Sequence, residues 1–153
     1  MPPLKNIVLP TDFSEPTLAA TRYAVMLAKR FNATLHLLHV IEDPLMLAPI
    51  FESVPLPPRQ SFETYAQDRL ENWIPDDDRD DLRLELHWLH GHPFSRIIEF
   101  AADHRMDLIV MGTHGRSLIS QAILGSVAEK VVRHAACPVL TVRSPATADT
   151  TNG

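Results

Sequence analysis

The residues with the clearest chemical potential are glycines and a serine in the last third of the chain. Gly112 and Gly115 follow an apolar run, and Gly125 and Ser126 come after nine intervening residues. Glycine lets the backbone approach a ligand closely and adopt positive φ. If Gly125, Ser126 and Val127 begin a helix, their N–H groups have no acceptor within it and suit a phosphate. Gly-x-x-Gly alone is more typical of a tight turn between strand and helix, but the longer spacing is much rarer and indicates an anion site.

A carboxylate follows the first apolar run of the chain. Asp12 comes directly after Pro10 and Thr11, where it can accept hydrogen bonds from ribose hydroxyls or serve only as a turn residue. Ser14 is a suitable N-cap for the helix that follows. Arg116, inside the glycine segment, is suited either to steady a phosphate or to remain a solvated surface residue.

Histidines are the next candidates, because imidazoles are common metal ligands. Three lie within six residues: His87, His90 and His92. On an extended strand, residues three apart point to opposite faces, so His87 and His90 do not converge, and no nearby carboxylate or cysteine completes a set. His36 and His39 oppose one another in the same way. His114 lies within the glycine segment, where a phosphate contact stays open, but a plain structural role is expected for each of these histidines. We expect no metal site and no catalytic residue here.

Strand and helix signals alternate along the chain. Apolar runs predict strands over residues 4–9, 34–41, 82–90, 107–111 and 138–142. Recurrence at three and four residues predicts helices over 14–31, 59–73, 91–104 and 120–134, the first of them stopping at Asn32. The third strand alternates polar and apolar residues, which places it near an edge. This alternation favours a parallel α/β sheet with helices on both faces, whose ligands bind where the strand order reverses.

The remaining segments and the length bound the organisation of the chain. Its 153 residues suit a single domain over residues 1–143. Five prolines between positions 44 and 58 predict a long loop without a readable role. The acidic stretch 76–81 predicts a turn, and residues 144–153 are expected to form a disordered tail.

Composition argues against several classes of protein. The net charge of −5 does not suit a nucleic-acid backbone. No apolar run approaches the ~18 residues of a membrane span, and the start lacks signal-peptide features, so a cytoplasmic location is expected. Cys137 is the single cysteine, so no intrachain disulfide forms. The motifs of P-loop kinases and serine hydrolases are missing from the sequence.

Longer motifs resemble those of the universal stress protein family. Two segments together satisfy its nucleotide-binding signature of glycine, two residues, glycine, nine residues, glycine and then serine or threonine: Met111-Gly112-Thr113-His114-Gly115-Arg116 and Leu124-Gly125-Ser126-Val127. The first turn, the second and fourth strands and the Cys137-Pro138-Val139-Leu140 segment look like the family too. The resemblance covers about residues 4–143.

The resemblance implies a Rossmann-like domain of the adenine nucleotide alpha hydrolase type, with strand order 3-2-1-4-5. It implies ATP as the ligand, with ADP, AMP and an accompanying Mg²⁺ left open. Pro10, Thr11 and Asp12 would lie near ribose and base, and Val40 near adenine. The phosphates would be held by the residues of the glycine signature: Met111, Gly112, Thr113, Gly115, Arg116, Gly125, Ser126 and Val127. A side chain at Gly115 or Gly125 should then block phosphate and leave the fold intact.

The resemblance also implies a partner and a role. Family members commonly dimerise through the last strand, and an apolar edge strand tends to be paired. A two-fold homodimer is therefore expected through Pro138, Val139, Leu140, Thr141 and Val142. We interpret the chain as a nucleotide-dependent stress-response regulator. A slow ATP hydrolase or phosphotransferase, and an interaction module without nucleotide, remain the alternatives.

Overall fold

The computed structural model of the chain describes residues 3–42, 55–114 and 124–145. Five strands occur there: β1 (Asn6–Pro10), β2 (Thr34–Ile41), β3 (Arg83–His90), β4 (Leu108–Gly112) and β5 (Val139–Val142). The helices of these ranges are α1 (Pro16–Phe31), α2 (Arg59–Trp73), α3 (Asp76–Arg79), α4 (Pro93–Asp103) and α5 (Ser126–His134). Gly115, Arg116, most of the predicted proline-rich loop and the tail beyond Pro145 lie outside the described residues.

The strands form one parallel sheet in the order β3-β2-β1-β4-β5. The predicted fold class and strand order are confirmed, and so is the edge position of β3. Strand β1 pairs with β2 on one side and with β4 on the other. The chain therefore leaves β1 and β4 in opposite directions across the sheet. Their carboxyl ends mark the switch point, and in sheets of this kind the ligand crevice lies just beyond it.

Helices cover both faces of the sheet. On one face, α1 and α2 pack over Ile7, Leu9, Leu35 and Leu37, and on the other face α4 and α5 pack over Val8, Leu38, Ile109 and Met111. Burial on both faces explains why the inner strands are mostly apolar, with His36 and His39 of β2 as buried polar exceptions. Among the described residues, no helix combines the length and the apolar character that crossing a membrane requires.

Several predicted boundaries are wrong. Ser14 does not cap α1, because Glu15 occupies the N-cap position and the Ser14 N–H and hydroxyl both donate to Asp12. Helix α5 does not include Gly125, which is extended with φ −60° and ψ 154°, so the helix begins at Ser126. The predicted acidic turn contains the single-turn helix α3. The stop of α1 at Asn32 is confirmed, since Asn32 adopts the left-handed conformation with φ 53°.

Candidate functional site: a crevice at the carboxyl edge of the sheet

The turn after β1 is held together by its own side chains. One oxygen of the Asp12 carboxylate accepts hydrogen bonds from the Ser14 N–H, at 3.0 Å, and from the Ser14 hydroxyl. The Thr11 hydroxyl accepts from the Phe13 N–H at 3.0 Å and lies 3.2 Å from the Thr17 hydroxyl. Phe13 has a positive φ of 63°. These bonds fix the half-buried Asp12 carboxylate at the carboxyl end of β1.

The backbone of Thr11 joins this turn to β2. Its N–H donates to the Leu38 carbonyl at 2.8 Å, and its carbonyl accepts from Nδ1 of His39 at 2.8 Å. Thr11 and Val40 are both buried. Thr11, Asp12 and Val40 therefore lie at the carboxyl ends of β1 and β2. Thr11 joins the two strands through its backbone, and Val40 adds a buried apolar side chain.

An aromatic cluster stands beside the turn, and sequence reasoning missed it. The Phe13 ring stacks on His39 with centroids 4.3 Å apart, and the ring centroids of Tyr65 and Trp73 lie 6.2 and 5.7 Å away. The guanidinium carbon of Arg69 lies 5.4 Å from the Phe13 ring centroid. Arg69 belongs to α2, far from the turn in sequence, so no local pattern predicts the positive charge that it places here.

The opposite wall of the crevice contains two glycines that the packing requires. A Cβ on Gly112 would lie 3.2 Å from the Pro16 carbonyl oxygen, so glycine allows the start of α1 to approach the end of β4. The Gly125 N–H donates to the Thr113 carbonyl at 2.6 Å, and a Cβ on Gly125 would lie 2.8 Å from that oxygen.

Two predictions about Gly125 are therefore wrong. Its N–H is not an unpaired donor, because the Thr113 carbonyl already accepts from it. A side chain at Gly125 cannot leave the surrounding backbone undisturbed, because the nearest atoms belong to the main chain of Thr113 and His114. The spacing of the glycines thus reflects close contact within the protein as well as any approach to a ligand.

The helical N–H groups at the start of α5 begin one residue later. Ser126 and Val127 are its first two residues, and N–H groups in a first helical turn have no acceptor in their own helix. The helix dipole adds partial positive charge at the same place. The hydrogen bond from Gly125 to Thr113 ties this helix start to the end of β4.

The residues after β4 complete the described part of this wall. The Thr113 N–H donates to the Val142 carbonyl at 3.1 Å, and the Thr113 hydroxyl lies 3.0 Å from Nδ1 of His114. Within the described part of the chain, Nε2 of His114 is buried and has no hydrogen-bond partner. Met111 is buried in the core below. Pro10 is buried at the end of β1 on the facing wall.

The two histidines within each strand fall on opposite faces of the sheet, as predicted: His36 and His39 in β2, and His87 and His90 in β3. His90 lies 2.8 Å from a Glu63 oxygen of α2, whereas His87 contacts the α4 side. His36 lies 3.2 Å from a carboxylate oxygen of Glu85. The expectation that no nearby carboxylate completes a set with His87 is therefore wrong, because Glu85 lies 3.6 Å from Nε2 of His87 and the cross-strand register sets His36 opposite Glu85.

Burial lowers the pKa of both His36 and His87 from the ordinary value of 6.5. Glu85 opposes this shift, and His104 reinforces it. Both rings are therefore held toward the neutral form, in which one ring nitrogen carries a lone pair.

An open parallel sheet in the order β3-β2-β1-β4-β5, with helices on both faces, defines a Rossmann-like α/β protein. The chain belongs to the universal stress protein family, whose model matches residues 3–143. Universal stress protein MJ0531 of Methanocaldococcus jannaschii is 35% identical over 148 residues, spanning 92% of this chain and 83% of the relative.

Solved structures of the family share the fold. The universal stress protein UspA from Lactobacillus plantarum superposes with a TM-score of 0.76 at 28% identity, covering 92% of this chain and 98% of the other. A universal stress protein crystallised in complex with cAMP superposes with a TM-score of 0.61 at 27% identity, covering 92% and 97%.

Proposed function

We propose that this chain binds an adenine nucleotide, ATP or its products ADP and AMP, in the crevice between the turn after β1 and the start of α5. One observation carries the proposal: a carboxylate fixed by its own turn and a helix N-terminus lie at the edge where the strand order reverses. A carboxylate suits ribose hydroxyls, and a helix N-terminus suits phosphates.

The similarity to the cAMP complex supports this choice of ligand. That protein is 27% identical and matches the chain over almost its whole length. Cyclic AMP shares its adenine, its ribose and one phosphorus centre with ATP. A site shaped for these common parts would accept ATP if the glycine segment has room for the additional phosphates.

Each wall would contribute different contacts. Asp12 would accept from the ribose hydroxyls, while Pro10, the Thr11 backbone and Val40 would border the base. Around the phosphates we place the N–H groups of Ser126 and Val127, with the hydroxyl of Ser126 and the backbone of Gly112 and Thr113. Gly115 and Arg116 of the signature would complete this wall, and Mg²⁺ would be held mainly by the phosphates themselves.

We propose further that the nucleotide acts as a regulator by linking two parts of the fold. The Asp12 turn follows β1, whereas the phosphate donors follow β4, so a bound nucleotide would join the halves on either side of the switch point. A ligand that binds only this arrangement stabilises it by about 2.7 kcal/mol at a free concentration of 100 times Kd. If two conformations of the loops or of the dimer differ in their affinity for the nucleotide, the nucleotide would increase the population of the one that binds it more tightly.

A tryptophan titration tests the site. The chain has two tryptophans, and Trp73 lies 5.7 Å from Phe13, beside Asp12. In a Trp88→Phe background, ATP should change Trp73 emission saturably. Asp12→Asn should weaken binding about tenfold or more, because hydrogen bonds to a charged group contribute about 1.5–3 kcal/mol.

Glu15→Gln is the matched control, because Glu15 is exposed three residues further along and its change removes the same charge. Its affinity for ATP should equal that of the parent. Equal affinities of the parent and Asp12→Asn would contradict the ribose contact. Steady phosphate release with Mg²⁺, abolished by Asp12→Ala, would instead assign the hydrolase alternative.

A further inference from the structure

We propose that His36, Glu85 and His87 form a binding site for a divalent transition metal of the zinc type. The three residues lie on the α4 face of the sheet, in the amino half of β2 and the first five residues of β3. The site is therefore separate from the nucleotide crevice, which opens beyond the carboxyl ends of the strands.

The three potential ligand atoms form a compact triangle. Nδ1 of His36 lies 3.1 Å from Nε2 of His87 and 3.2 Å from a carboxylate oxygen of Glu85. The same Glu85 oxygen lies 3.6 Å from Nε2 of His87. Each residue thus aims one donor atom at a common point between the two strands.

The size of this triangle matches zinc coordination. Zinc bonds to imidazole nitrogen and carboxylate oxygen are about 2.0–2.2 Å long, so two ligand atoms of a tetrahedral site lie about 3.3–3.6 Å apart. The observed separations of 3.1, 3.2 and 3.6 Å lie inside this range or within about 0.2 Å of it. A metal ion would lie just above the plane of these three ligand atoms, without a large movement of the backbone.

A further residue orients the first ligand. Nε2 of His36 lies 3.2 Å from the side-chain oxygen of Asn6, which accepts the ring N–H and leaves the lone pair on Nδ1. In that tautomer Nδ1 of His36 and the Glu85 oxygen are both acceptors 3.2 Å apart, and the Nε2–H of His87 donates to Nδ1 of His36 at 3.1 Å. A metal ion would take the place of that proton and meet three lone pairs. Outer hydrogen bonds of this kind are typical of histidines that ligate metals.

The surroundings allow a metal to enter and favour positive charge. The side chain of His36 is 8% exposed, whereas that of Glu85 is 57% exposed. A groove of about 380 Å³ adjoins the site and includes His87, Glu99, Asp103 and His104 in its lining. Arg96 also lines this groove, but it pairs with Glu99 at 2.7 Å.

The chemistry of the donors selects the class of metal. Two imidazoles and one carboxylate suit zinc, nickel or copper better than magnesium or calcium, which prefer oxygen ligands alone. Three protein ligands leave a fourth zinc position for water or another small ligand. A bound ion would also tie the edge strand β3 to β2.

The test is zinc titration of the full chain after treatment with a chelator. Calorimetry should show one Zn²⁺ per chain, and Co²⁺ should give the intense visible absorption of a tetrahedral site. Loss of an outer-shell partner lowers the metal affinity of a site about 10–100-fold. Glu85→Gln and His87→Gln each remove a direct ligand, so each should weaken zinc binding by at least that factor. Asn6→Ala should weaken it within that same range.

Two variants serve as matched controls. His92→Gln removes an exposed imidazole of the same region, and Glu71→Gln removes an exposed carboxylate of α2, which packs on the opposite face of the sheet. Both should bind zinc as tightly as the wild type. Glu85 is mostly exposed, so Glu85→Gln has no packing reason to misfold, and circular dichroism would verify this. Equal affinity in wild type, Glu85→Gln and His87→Gln, or no stoichiometric zinc binding by the wild type, would overturn the proposal.

Discussion

Replacing Gly125 by alanine tests whether the contact at the start of α5 is as tight as the structure shows. The backbone angles of Gly125, φ −60° and ψ 154°, are accessible to alanine. From these angles alone, alanine should stabilise the protein by about 0.4–1 kcal/mol, because it reduces the entropy of the unfolded chain. The contacts predict the opposite sign.

The magnitude follows from the neighbours of the added methyl group. It would lie 2.8 Å from the Thr113 carbonyl oxygen and 3.3 Å from Cα of His114, and neither main-chain atom can rotate away. Overpacking of this kind typically costs about 1–3 kcal/mol. If the loop moves instead, the 2.6 Å hydrogen bond from Gly125 to Thr113 weakens, at about 0.5–1.5 kcal/mol. Alanine is also a poorer N-cap than glycine.

We therefore expect Gly125→Ala to lower the free energy of unfolding by about 0.5–2.5 kcal/mol, since the entropic gain is subtracted from the overpacking cost and the poorer N-cap adds to it. Urea unfolding at a fixed protein concentration, followed by tryptophan fluorescence, measures this change. Gly112→Ala is the graded comparison and should be milder, because its methyl group would lie 3.2 Å from the Pro16 oxygen. A Gly125→Ala protein as stable as the wild type would refute the reasoning.

Three further predictions concern other parts of the molecule. Burial raises the pKa of the Cys137 thiol, so iodoacetamide at neutral pH should alkylate the native chain more slowly than the urea-unfolded chain; equal rates would contradict this. Burial lowers the pKa of His36 and His87, so their contribution to the free energy of unfolding should be complete above pH 6.5 and decrease as the pH falls below it. The decrease should be less steep in His87→Gln, and an unchanged slope would contradict the contribution of these rings. We propose dimerisation through the edge strand β5, so Leu140→Arg should yield monomers in light scattering, and a monomeric wild type would exclude it.

The fold could be predicted from the sequence because its signals are local. Buried parallel strands favour near-continuous apolar runs, and the residues of β1 and β4 provide them. The errors arose where a side chain had two local options. Ser14 looks like an N-cap, but Asp12 takes its N–H and hydroxyl. The apolar periodicity extends to Leu124, on the N-terminal side of the true start of α5. The hydrogen bond from Gly125 to Thr113 marks that start.

The parts of the sites that sequence could not predict depend on contacts between distant residues. His36 and Glu85 face each other because β2 and β3 pair in one particular register. The number of residues between them in the sequence does not predict this pairing. Arg69 reaches the Phe13 ring only because α2 packs on the same face as the turn after β1. The family signature, by contrast, is contiguous enough to be recognised from one chain.

The central claim is that the crevice between the Asp12 turn and the start of α5 holds an adenine nucleotide. The most direct measurement is to denature freshly purified protein, identify any released nucleotide by chromatography and mass spectrometry, and titrate the nucleotide-free protein with ATP. We predict either a released adenine nucleotide near one per chain or saturable ATP binding with that stoichiometry. A protein that neither releases nor binds an adenine nucleotide would contradict the account.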